Sequence, residues 1–244
     1  LLLMPFILLV NFMSGLSFTP VGDLPGDSFN SMIYGISGDG RIAVGQSSVT
    51  GIRTYSSEYE AFYWSQLTGI VGIGDLDSER ISSTAFSVNF DGSVIVGKGD
   101  TNNGYSGTIW NMPDLNPSSL GDNMSVYQVA KDVSNDGSVV VGYTTLSTMS
   151  FAPFGAFRWT SEDGLIGLGS LPGGSSGSEA EAVSGDGNVI VGFSGSSNSG
   201  SEAFMWTQDI GMVGLGFTVA NAVSTDGNIV VGYSNDDAIV WDPI

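Results

Sequence analysis

Val183–Gly192 reads VSGDGNVIVG, and the same ten-residue phrase occurs four more times without a gap. The other copies are Ile36–Gly45 (ISGDGRIAVG), Val88–Gly97 (VNFDGSVIVG), Val133–Gly142 (VSNDGSVVVG) and Val223–Gly232 (VSTDGNIVVG). In each copy Asp-Gly predicts a tight hairpin, because glycine accepts φ > 0 at little cost and aspartate bonds its own backbone. The run that follows, such as Val139-Val140-Val141, is continuously apolar, which predicts a strand buried on both faces. Ahead of the hairpin the residues are small in alternation (Ala180, Ala182, Ser184), as suits an inner strand crowded near an axis.

Outward from this phrase, each copy continues through a loop of variable length into a strand ending in tryptophan. These endings are Ala61–Trp64, Gly107–Trp110, Ala156–Trp159, Ala203–Trp206 and Ala238–Trp241, and they account for all 5 Trp in the chain. A glycine-rich fourth strand follows at Gly69–Leu76, Gly164–Leu171 and Gly211–Phe217, with a remnant at Leu120-Gly121-Asp122 in the second unit. The period of roughly 47 residues is that of a four-stranded propeller blade. The order of the pieces adds a topological expectation. Phe18–Leu24 (FTPVGDL) matches an outermost strand but precedes the first Asp-Gly, whereas the fifth unit stops at Trp241-Asp242-Pro243-Ile244 without one. The fold expected is therefore all-β, a five-bladed β-propeller of four-stranded blades in which Phe18–Leu24 pairs with the C-terminal blade and closes the ring.

The repeat resembles the extracellular HAF repeat family of bacteria, whose units have the form A-x-A-V-S-x-D-G-x-V-V-V-G, E-A-F-x-W-T and G-x-x-x-L-G-x-L-P-G-G. The likeness runs from about Phe18 to Trp241 and is strongest at Glu181–Gly192 with Glu202–Thr207, and at Ala156–Thr160 with Gly164–Gly174. The second unit departs from it, with Gly107-Thr108-Ile109 in place of Ala-Phe-x and with Pro113 and Pro117 in its last strand. The fifth has Ala238-Ile239 in place of Ala-Phe. The resemblance implies secretion or surface display and carries no established chemistry.

Composition narrows the function. Six basic residues against 25 acidic ones give a net charge of −19, which repels phosphate backbones and anionic lipid, so nucleic acid is not an expected partner. Without cysteine or histidine there is no thiolate or imidazole metal site and no Ser-His-Asp or Cys-His nucleophile. No cofactor is expected. Leu1–Val10 is apolar, interrupted by Pro5, and short for a membrane span; with Gly15-Leu16-Ser17 it reads as the remnant of a secretory signal over residues 1–17. Residues 18–244 are then expected as one domain, outside the cell or on its surface, with no membrane span in the mature chain.

Function on a rigid repeat scaffold is expected in its loops. The segments between the mid-blade and tryptophan strands (Gln46–Glu60, Lys98–Ser106, Tyr143–Gly155, Phe193–Glu202 and Tyr233–Asp237) differ in length and content and share a face with the connections between blades, which include Arg80. Arg53, Tyr55, Glu58, Tyr59, Asp100, Tyr105 and Phe151 are the expected ligand-binding residues there, for a glycan or a protein. The aligned Asp39, Asp91, Asp136, Asp186 and Asp226 are explained by the turn itself. Calcium needs six to eight converging oxygens and is not favoured. A non-catalytic binding or adhesion module is the leading expectation. The alternatives are a glycosidase, using Glu181 and Asp132 across the central funnel, and a structural spacer in a larger surface protein. Tyr34, Phe86, Lys131, Glu181 and Asn221 are the asymmetric positions of the inner strands.

Overall fold

A computed structural model describes residues 19–26, 29–49, 58–76, 81–101, 104–121, 127–145, 154–174, 177–197 and 200–242. Arg53, Tyr55, Arg80, Phe151 and the expected signal segment lie outside the described residues. Within them five antiparallel sheets follow one another along the chain. The first holds β1 (Ser31–Ile36), β2 (Ala43–Val49), β3 (Glu58–Ser65) and β4 (Gly69–Gly72). The second holds β5 (Thr84–Val88), β6 (Val94–Thr101), β7 (Gly104–Asn111) and β8 (Pro117–Ser119). The third holds β9 (Gln128–Val133), β10 (Val140–Thr145), β11 (Phe154–Thr160) and β12 (Gly164–Gly169). The fourth holds β13 (Ser178–Val183), β14 (Ile190–Ser196), β15 (Gly200–Thr207) and β16 (Gly211–Gly214). The fifth has three strands, β17 (Val219–Val223), β18 (Val230–Ser234) and β19 (Asp237–Trp241). β8 is short because Pro117 has no N–H for the ladder.

The repeat phrase builds each hairpin as its chemistry dictates. Asp136 accepts from the Ser138 amide at 3.0 Å and the Ser134 hydroxyl at 2.7 Å, while Ser134 Oγ accepts from the Val139 amide at 3.0 Å. Gly137 takes φ 77° between them. The final glycine of the phrase has a different cause: a Cβ on Gly142 would stand 2.0 Å from the Val129 carbonyl oxygen, and the other four copies are equally tight.

Adjacent sheets pack face to face. The second-last residue of the phrase (Val44, Val96, Val141, Val191) is fully buried against the next sheet's Ile95, Val140, Ile190 and Val230 in turn. The hairpin tips are also joined. The Asp39 amide donates to Phe90 O, Phe90 to Asn135 O, Asn135 to Gly185 O and Gly185 to Thr225 O, at 2.9 to 3.2 Å. Among the described residues this spiral has four links, and none runs from the fifth tip to the first.

The expected closing pair is not formed. Residues 19–24 form no ladder with β19, which keeps one edge unpaired among the described residues. The segment docks instead on the first sheet, as a connection between blades does. Leu24 N donates to Ser47 Oγ and Ser31 Oγ to Gly22 O, matching Leu171 N to Ser194 Oγ and Ser178 Oγ to Gly169 O between the third and fourth sheets. Gly22 and Gly169 share φ 81°. The arrangement is thus a propeller-like succession of five sheets whose last seam is open. Val231 is 39% exposed and Ile36 65%, against 0% for Val141 and 7% for Val133 at the corresponding places.

Candidate functional site

Each inner strand carries a one-residue bulge at the same place, where the register skips Tyr34, Phe86, Lys131, Glu181 and Asn221. A bulge re-aims the extra side chain and recurs beside functional sites. The residues around it repeat (Ala85, Ala130, Ala180 and Ala220 are all fully buried) while the bulged five are all different. Four of them form a chain of contacts across four sheets. The Tyr34 and Phe86 rings are tilted at 5.5 Å, Lys131 Nζ stands 6.0 Å from the Phe86 centroid, and it pairs with Glu181 Oε2 at 3.0 Å. Burial and the neighbouring Glu181 push the Glu179 carboxyl up, with Lys131 opposing; burial and these two glutamates push the Tyr143 phenol up.

Towards the Asp-Gly end the five inner strands enclose a pit of about 220 Å³ lined by Ile36, Asn89, Asp132, Gly185 and Thr225 among others. Asp132 bridges three sheets here. It accepts from Ser87 Oγ at 2.7 Å and from the Val183 amide at 2.9 Å. Burial raises its pKa, and these hydrogen bonds oppose that. Of the two carboxylates expected as a catalytic pair, Glu181 is thus ion-paired and Asp132 has both oxygens engaged.

The loop-side residues divide between seams. Tyr59 accepts from Asn30 Nδ2 at 3.2 Å, and its backbone bridges Ser82 at the start of the second sheet. Tyr105 occupies the same place one blade later, bridging Tyr127; its ring lies 6.1 Å from that of Tyr127 and 4.5 Å from Lys98 Nζ. Glu58 begins β3 opposite Val49. Asp100 is buried, and its amide donates to Asp75 Oδ1 at 2.7 Å. Asp75 also accepts from Leu76 and Ser82 amides, yet burial pushes it up to about 6. Its role was missed in the sequence, where it stands at the place of Ser170 in the third unit and reads as one more loop acid. Tyr59 and Tyr105 therefore belong to two seams and not to one cluster.

The five turn aspartates are held below the ordinary carboxylate range, Asp39, Asp186 and Asp226 first by the preceding serine, Asp91 by Ser93 and Asp136 by the Ser138 amide. Among the described residues no three acidic side chains gather to hold a metal ion, and no helix is long and apolar enough to cross a membrane.

No family model and no curated sequence matches the chain. The likeness to known proteins lies in the fold. TolB from Acinetobacter baumannii superimposes with a TM-score of 0.56 at 13% identity, covering 86% of this chain and 51% of that one. TolB from Agrobacterium tumefaciens gives 0.58 at 13%, covering 84% and 74%. A chain of a nidogen/laminin complex gives 0.51 at 13%, covering 87% and 76%. The chain thus spans about half the length of the first of these. It has a propeller-like all-β fold shared with TolB at a distance.

Proposed function

We propose that this chain is a non-catalytic binding module, secreted or displayed at the bacterial surface, that grips a protein segment across the bulged positions of its five inner strands. The observation behind this is the bulge at one place in all five inner strands, each bearing a different side chain (Tyr34, Phe86, Lys131, Glu181, Asn221). A scaffold gains nothing from five dissimilar residues at a repeated position, whereas a ligand reading an aromatic pair, a cation and an anion does. The apolar leader and the HAF-like motifs support export. The TolB-like fold is that of a scaffold compatible with binding.

The test is capture of proteins from the producing cell's envelope by the wild-type chain and by a Phe86→Ala/Lys131→Ala double variant. A partner retained by the first and lost by the second, at unchanged thermal midpoint, is the expected result. Equal capture overturns the reading. The glycosidase alternative would draw on carboxylates of the inner strands, where burial and the neighbouring Glu181 push the Glu179 carboxyl up. Hydrolysis of aryl glycosides that is abolished by Glu179→Gln would establish that reading instead.

The module functions, in this proposal, as a closed ring. Residues 19–22 pair with β19 in the register Ala238 to Gly22 and Ile239 to Pro20, copying Ala156 to Gly169 and Phe157 to Gly167. The Ala238 amide then meets Ser31 Oγ, as the Ala156 amide meets Ser178 Oγ at 3.0 Å. The docking of Gly22 and Leu24 supports this, because it already holds the segment where the pairing begins.

A further inference from the structure

On the rim of the Asp-Gly face a cleft of about 510 Å³ opens between the third and fourth sheets, lined by Arg158, Asn188, Trp206, Thr207, Gln208 and Asp209 among others. One residue sets its lining apart. In the strand ending Ala-Phe-x-Trp, the side chain at x faces the next blade's tryptophan. At the other formed seams x is apolar and packs in one cluster with that tryptophan: Tyr63 with Trp110, Ile109 with Trp159, Met205 with Trp241. At this seam x is Arg158. Its guanidinium turns to Asp163 on its own hairpin at 3.4 Å, with the side chain 17% exposed. Trp206 is half-buried, with one flank on the cleft and the rest packed against a core cluster that includes Val139 and Leu168 of the third sheet.

We propose that this cleft is a saccharide-binding site. An indole flank offers a platform for the C–H face of a pyranose. The groups around it supply both donors and acceptors: the guanidinium fork, the Asn188 and Gln208 amides, the Thr207 hydroxyl and the Asp209 carboxylate. A sugar hydroxyl is donor and acceptor at once and matches that mixture. An anionic ligand does not, since Asp163 neutralises the only cation and the chain carries −19 overall. The site shares no residue with the bulged positions of the inner strands and stands or falls independently of the binding function proposed above.

The test uses the whole chain titrated with a panel of neutral hexasaccharides (cello-, malto-, chito- and mannohexaose), followed by calorimetry and by tryptophan fluorescence. Arg158→Met copies the packing residue of the next blade, Met205, so it fills the cleft without unfolding the seam. The expected result is binding of at least one sugar, with a fluorescence change that disappears in Trp206→Phe and an affinity at least tenfold weaker in Arg158→Met. Binding unaltered by both variants overturns the assignment, as does silence across the panel. The Phe86→Ala/Lys131→Ala variant retains sugar binding, which separates failure here from failure of the binding function proposed above.

Discussion

Ser134 and Asp136 act as a pair, and their energetic weight is testable one atom at a time. Ser134→Ala removes an acceptor for the Val139 amide and a donor to Asp136, so a loss of about 1 kcal/mol is expected in denaturant titration. The turn carboxylates also set an acid limit. Their folded pKa values lie below the unfolded ones, so the stability they confer is complete above about pH 4 and is lost as pH falls through the folded values. Asp75 has the opposite sign. With a folded pKa of about 6, the native chain binds its proton more tightly than the unfolded chain does. Stability from this group is fully present below the unfolded value and declines as pH rises through 6. The two together place the stability maximum between about pH 4 and pH 5. In Asp75→Asn the decline between about pH 4 and pH 6 flattens, a slope that urea midpoints measured across that range check directly.

At the scale of the strand, the bulge and the last glycine of the phrase are one device. A Cβ at position 142 would collide with the Val129 carbonyl that the bulge pushes forward, so Gly142→Ala is expected to cost about 3 kcal/mol or more, read from the shift in urea midpoint. The sequence made most of these elements legible, because hairpin, buried strand and tryptophan strand each repeat with a physical signature of their own. The bulge left no such mark. It consists of one extra residue in a ladder, and Tyr34, Phe86, Lys131, Glu181 and Asn221 are recognisable in the sequence only as positions where the repeat fails to repeat. The candidate site was harder still. Tyr59 and Tyr105 were expected in loops and lie in β3 and β7, where aligned positions in successive blades fall on successive seams and do not converge. Arg158 stood in plain view as the polar member of an otherwise apolar column, and the structure sets it on the lining of a cleft.

At the scale of the whole molecule the open seam decides the behaviour. Val231, Val240, Ile36 and Ile33 are 39% to 73% exposed at this seam, so burying them in the closed ring proposed above would contribute about 1 kcal/mol for each side chain. Val231→Asp is therefore expected to destabilise the chain about as much as Val141→Asp, and thermal melts of the two variants compare them; a near-neutral Val231→Asp would mean that the seam stays apart. Hydrogen exchange provides a second measure. In the closed ring the Ala238 and Val240 amides are protected like those of β15, and deleting residues 18–24 exposes them. The spiral of hairpin tips carries a further consequence, for the order in which the protein is made. Each link runs from an amide in one repeat to a carbonyl in the repeat after it: Asp39 to Phe90, then Phe90 to Asn135 and onward. A chain leaving the ribosome amino end first thus always presents a tip whose acceptor has yet to be synthesised. Each of the first four tips can make its link to the next sheet only after that next repeat has been synthesised.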